Sequence, residues 1–138
     1  MKNESYDALI SAALIARKKA YAPYSNFAVG AALLTEGGKI YTGANIESAS
    51  YTPTVCAERV AFFTAVHSGE KKFKKIAIVG GKAEDEVNSF CPPCGVCRQV
   101  MAEFCAPDFE VITYDGEAAK ITTLGEIFPE SFNKENLK

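Results

Sequence analysis

Two short cysteine-bearing segments, Cys56-Ala57-Glu58 and Pro93-Cys94-Gly95-Val96-Cys97, constrain this chain more than anything else in it. Together they offer three thiolates and one carboxylate that is not needed as a ligand. Three soft ligands on Zn²⁺ leave a fourth position free for water. A carboxylate just beyond the first ligand can then move a proton to or from that water. A fold that uses these residues must bring both segments to one point.

The surrounding pattern predicts where that point lies. Ser5 can cap a first helix running to Ala20, with Leu9, Ala12, Ala13, Ala16 and Ala20 at helical spacing and Arg17, Lys18 and Lys19 near its end. Phe27 to Thr35 reads as a strand, and its apolar run from Ala28 to Leu34 predicts burial on both faces. Glu36-Gly37-Gly38-Lys39 is a hairpin turn, returning as a strand from Ile40 to Ile46. A polar loop leads to a helix from Cys56 to Val66. Ile76 to Gly81 is a compact buried strand ending in a glycine pair, and Lys82 to Ser89 is a polar excursion. A helix from Cys94 or Gly95 to Cys105 follows. Phe109 to Tyr114 and Ala118 to Ile121 form strands about an Asp115-Gly116 turn, ahead of a short helix at Leu124–Phe128. Helices between buried strands call for an α/β three-layer sandwich, a mixed five-stranded sheet with helices on both faces.

Length and charge narrow the function. The 138 residues suit a single domain spanning 1–138 with one core, and 48% hydrophobic content is ordinary for a globular fold. A net charge of −2 argues against a dedicated nucleic-acid binder. The basic run Lys71-Lys72-Phe73-Lys74-Lys75 reads as a solvated turn leading into a strand. No apolar stretch approaches the roughly 20 residues that span a bilayer, and Met1-Lys2-Asn3-Glu4 carries no signal pattern. A cytoplasmic protein with reduced thiols is expected, in which clustered cysteines mean metal or catalysis.

On this reading Cys56 and the Cys94/Cys97 pair sit at helix starts, where free N–H groups and the helix dipole favour thiolates. Three thiolates leave the zinc site with a net charge of about −1. Arg59 can offset that charge by donating to a ligand sulfur; otherwise it is a surface arginine in a helical ion pair. Cys91 opens a second C-x-x-C with Cys94, so Cys56, Cys91, Cys94 and Cys97 could close a structural Cys₄ site. That site gives Glu58 no task, and Pro92 and Pro93 lack N–H groups to support thiolates. A redox dithiol at Cys94/Cys97 leaves both Cys56 and Glu58 unused. Cys105 is expected in the core. His67, the chain's one histidine, is expected at a helix end and not as a ligand.

Tyr24-Ser25-Asn26-Phe27, Val29-Gly30-Ala31-Ala32-Leu33, Gly43-Ala44-Asn45-Ile46-Glu47, Cys56-Ala57-Glu58-Arg59 and Pro93-Cys94-Gly95-Val96-Cys97-Arg98-Gln99 resemble the small homotetrameric zinc-dependent cytidine deaminases. The resemblance runs from about Tyr6 to Phe132. It implies one zinc per chain on Cys56, Cys94 and Cys97, with Glu58 as proton shuttle. It implies Asn45 and Glu47 on the ribose hydroxyls and Phe27 against sugar and base. The segment Ile127–Phe132 is similar to the family's C-terminal Leu-Leu-Pro-x-x-Phe, implying that Phe132 stacks on the base in a neighbouring subunit's pocket. Without the resemblance, Phe27 and Phe132 read as ordinary aromatics and Asn45 and Glu47 as loop residues. Three departures stand out: Tyr51-Thr52-Pro53-Thr54-Val55 where Gly more often follows the Tyr, Phe128 where Leu is usual, and the extra Cys91.

The implied activity is hydrolytic deamination of cytidine and deoxycytidine to uridine and deoxyuridine with release of ammonia, as in pyrimidine salvage. The alternatives are a deaminase of a cytosine nucleoside antibiotic such as blasticidin S, and a non-catalytic zinc-stabilised module. The small-molecule nucleoside would be the partner, with neither nucleic acid nor membrane.

Overall fold

Strand β1 (Phe27–Thr35) sits inside the sheet, as its continuous apolar run requires. The computed structural model describes residues 4–138, with side chains from Tyr6 onward. The other elements are α1 (Glu4–Arg17), β2 (Ile40–Ala44), α2 (Ala57–His67), β3 (Phe73–Lys82), α3 (Gly95–Phe104), β4 (Glu110–Tyr114), β5 (Ala119–Thr123), α4 (Leu124–Ile127) and a closing 3₁₀ turn at Lys134–Leu137. They form one five-stranded sheet in the order β2-β1-β3-β4-β5. β1 is antiparallel to both neighbours, β3 and β4 run parallel, and β5 is antiparallel to β4. The mixed sheet expected from the sequence is therefore present.

Strand periodicity sorts the core into two layers. Ala32, Ala77, Val79 and Ile112 face α1, packing on Leu9, Ile10 and Ala13. Their neighbours Ala31, Leu33, Ile76, Ile78 and Val111 face the other side, against Ala61, Phe62 and Ala65 of α2 and Met101 of α3. Helices thus cover both faces. Phe128 packs against this second layer, so a larger ring is accommodated where Leu is usual.

Several boundaries differ from the sequence expectation, each for a tertiary reason. α1 stops at Arg17, not Ala20, because the chain turns so that Tyr21 N–H can donate to Asn45 O at 2.9 Å. The expected cap Ser5 falls within the helix, and the N-terminal Met1–Asn3 lies outside the described residues. β2 ends at Ala44, and Ile46 makes isolated bridges to Tyr21 and Val55 instead. β3 begins at Phe73, where a register shift pairs it with Thr35 and buries its ring. Lys74 stays solvated, while Lys75 lies 4.3 Å over the Tyr6 ring and 3.4 Å from Glu110. β5 runs on to Thr123, which forms a capping box with Glu126 at the start of α4.

One close approach seats the site. A Cβ built on Gly43 would lie 2.5 Å from Ala57 O and 2.6 Å from Ala61 N, so α2 rests directly on the β2 backbone. Gly43→Ala has to push α2 off the sheet, with an expected stability loss of about 1–3 kcal/mol. Urea unfolding should show a lower midpoint at unchanged slope; an unchanged midpoint would contradict this packing.

Candidate metal centre and substrate wall

Two helix N-termini converge. Cys56 is the N-cap of α2 and Cys94 the N-cap of α3, each with extended backbone and no side-chain capping bond. Cys97 follows in the first turn of α3 and is buried. The three sulfurs lie within 4.8 Å of one another, with Cys56–Cys94 at 3.7 Å and Cys94–Cys97 at 3.5 Å. Tetrahedral zinc with Zn–S bonds of about 2.3 Å separates its sulfurs by about 3.8 Å. The donor set fits zinc in both chemistry and spacing. Among the described residues it is the one cluster that could hold a metal ion.

Electrostatics follow from this convergence. The Cys56 thiol is brought down to about 5, first by a hydrogen bond from Cys97, then by Arg59 and Cys94. The same hydrogen bond holds the Cys97 thiol far above its usual range. Arg59 Nη2 donates to Cys56 Sγ at 3.3 Å. Its Nε is buried without a partner. Glu58, 4% exposed in the first turn of α2, is pushed up to about 7, mainly by burial. A carboxyl so placed can exist in either protonation state near neutrality.

Cys91 stands apart from the three sulfurs, against Gly80, where a Cβ would meet its Sγ at 2.7 Å. Burial pushes its thiol up to about 11. The Cys₄ arrangement is therefore not the one formed. Cys105 is half-buried against the core, its thiol raised to about 12 by burial, and His67 is exposed at the last position of α2.

The residues tied to substrate by resemblance divide into two groups. Asn45 is buried and holds β1 in place: its Oδ1 accepts from Val29 N and its Nδ2 donates to Phe27 O, both at 2.8 Å. Glu47 accepts from Tyr24 N at 3.0 Å and Ser25 N at 3.1 Å, and from the Ser25 hydroxyl. The Ser25 hydroxyl, then the backbone N–H groups, hold its carboxyl below the usual range. Phe27, 41% exposed, is thus brought beside Asn45, with Glu47 bracing the turn before it. Phe132 is 61% exposed, its carbonyl accepting from Gln99 Nε2 of α3 at 2.8 Å. Neighbouring Arg98 donates through Nε to Pro93 O at 2.8 Å and through Nη1 to Ile127 O, tying the turn before Cys94 to the end of α4.

A groove of about 320 Å³ beside Glu47 is lined by Tyr24, Ser25, Tyr51 and Thr54, residues of two segments noted in the sequence but given no role in a site there. Tyr24 and Tyr51 meet edge to face at 6.5 Å between centroids. Tyr51 has φ 66°, a left-handed conformation that a bulky residue type does not announce. No helix among the described residues is long and apolar enough to cross a membrane.

Comparison with known proteins agrees with this site. Residues 3–113 match the family model for the cytidine and deoxycytidylate deaminase zinc-binding region. A cytidine deaminase of Sporosarcina psychrophila is 48% identical over 94% of this chain and 92% of its own length. A blasticidin-S deaminase of Bacillus cereus is 35% identical over 77% of each chain. The crystal structure of cytidine deaminase from Burkholderia pseudomallei superposes with a TM-score of 0.83 at 45% identity, covering 96% of this chain and 100% of that one.

Proposed function

The chain belongs to the cytidine and deoxycytidylate deaminase family, and we propose that it hydrolyses cytidine and deoxycytidine to uridine and deoxyuridine with release of ammonia. The observation that carries this reading is three sulfurs at tetrahedral spacing beside a buried carboxyl that no structural site needs. We read residues 1–138 as one deaminase domain.

Cys56, Cys94 and Cys97 would hold the zinc, and Arg59 would moderate the charge of its thiolates. When bound, zinc supplies the Lewis acidity that makes water a nucleophile near neutral pH. Glu58 would accept a proton from the attacking water and deliver it to N3 of the pyrimidine. It then carries a proton to the departing amine. Its burial keeps the proton between enzyme and base instead of losing it to solvent.

Phe27 forms a wall against sugar and base. Asn45 retains one Nδ2 hydrogen beyond its bond to Phe27, and Glu47 retains lone pairs, so each can still take a ribose hydroxyl. Phe132 would complete a neighbouring chain's site in a homotetramer. Its exposed ring on a fixed backbone supports this. Light scattering at four times the chain mass is expected; a monomer that turned over fully would remove Phe132 from the reaction. The cytoplasm, where thiols stay reduced, is the compartment we assign.

The test is a substrate comparison. Cytidine and deoxycytidine should be consumed with far higher kcat/KM than blasticidin S by the zinc-loaded protein. Preference for blasticidin S would move the chain to the antibiotic-deaminase class. No turnover of any cytosine compound would leave a structural zinc module.

A further inference from the structure

We propose that Arg17, on the helix layer opposite the metal centre, is a positioning residue for substrate that acts through the backbone of Phe27 and Ala28. α1 descends onto the sheet at Gly30, where a Cβ would lie 2.1 Å from Ala13 O and 2.5 Å from Arg17 N. That approach brings the last residue of α1 to the point where β1 begins and β3 ends. There Arg17 Nε donates to Ala28 O at 2.9 Å and Nη2 to Lys82 O at 2.6 Å. Phe27 and Lys82 are ladder partners, as are Ala28 and Gly81. One planar guanidinium therefore holds the adjacent ends of two strands at a fixed spacing, which a lysine ammonium does not do.

The start of β1 is held from both sides as a result. Asn45 takes Phe27 O and Val29 N, and Arg17 takes the carbonyl between them. Just ahead, Asn26 turns the chain at φ 57°, its N–H bonded to Ala22 O and its carbonyl accepting from Ala83 N. Residues 26–29 form a ledge, and the half-exposed Phe27 ring stands on it. Asn45 belongs to the proposed substrate contacts; the bonds from Arg17 go to main-chain carbonyls. Its contribution is to hold the ring's backbone before substrate arrives. Such preorganisation supports ground state and transition state alike, so its loss raises KM and leaves kcat in place.

The inference rests on the reading of Phe27 as part of the substrate wall, and the experiment separates the two. kcat, KM for cytidine and zinc content are measured for Arg17→Ala, Arg17→Lys, Phe27→Ala and the Arg17→Ala/Phe27→Ala double variant. Arg17→Ala should raise KM by about tenfold with kcat within about twofold and zinc unchanged. Arg17→Lys should raise it less. The double variant should be no worse than Phe27→Ala alone, because both changes remove one shared effect. If Arg17→Ala does not fold, Arg17→Lys carries the same comparison. Unchanged KM in a folded arginine variant would overturn the proposal. So would a fall in kcat or zinc at constant KM, or full additivity with Phe27→Ala. Phe27→Ala with an unaltered KM would instead remove Phe27 from the substrate wall, and the route assigned to Arg17 with it.

Discussion

Glu58→Gln should keep a full equivalent of zinc and lose about 10²–10⁴-fold in kcat, the range that a positioned acid–base group supplies. The substitution preserves shape at a position only 4% exposed, so no cavity opens and α2 keeps its first turn. Glu58 is not among the three sulfur donors, so the metal site stays intact. What disappears is the capacity to accept and return a proton beside the bound base. KM should change far less than kcat, because the carboxyl's work is done in the transition state. Near wild-type turnover in a zinc-loaded Glu58→Gln protein would show that another group moves the proton.

Cys97→Ala should lose most of its zinc and, with it, stability. Cys97 is the buried member of the three, 1% exposed and next to Cys94 at 3.5 Å. Two remaining sulfurs cannot hold the tetrahedral ion as three do. Because the ligands come from α2 and α3, the ion ties two helices together, and its binding energy becomes folding energy. At a free zinc concentration 100 times Kd that contribution is about 2.7 kcal/mol. The variant should therefore melt below the zinc-loaded parent and close to the chelator-treated parent. Metal analysis and thermal unfolding with and without chelator check this together. A full equivalent of zinc in Cys97→Ala would mean that Cys91 had taken the vacant place.

The metal centre was legible because its information is local. Cys56 and Cys94 sit at helix N-caps where the motif placed them, and Glu58 and Arg59 follow within one turn. β1 keeps its expected bounds for a similar reason, since an unbroken apolar run has one natural home inside a sheet. The proposed substrate wall was less legible. Both polar ends of Asn45 are bonded to Phe27 and Val29, each with one further bond still open, a consequence of strand register that residue type cannot show. Tyr51 takes a left-handed backbone that side-chain type disfavours, so the sequence marks its segment as a departure without showing that its ring lines the groove beside Glu47. α1 stops short of Ala20 because Tyr21 is claimed by Asn45 across the fold. For Asn45 and for the end of α1 a long-range contact overrides a local preference. The departure at Thr52-Pro53 is local instead: Thr54 N–H closes a tight turn onto Tyr51 O at 2.8 Å, just before Cys56.

The most direct test of the account follows uridine formation and ammonia release together when zinc-loaded protein meets cytidine. One ammonia for each uridine, abolished by chelation and restored by added zinc, is the predicted result. Zinc bound at one per chain with neither product formed from cytidine or deoxycytidine would contradict it.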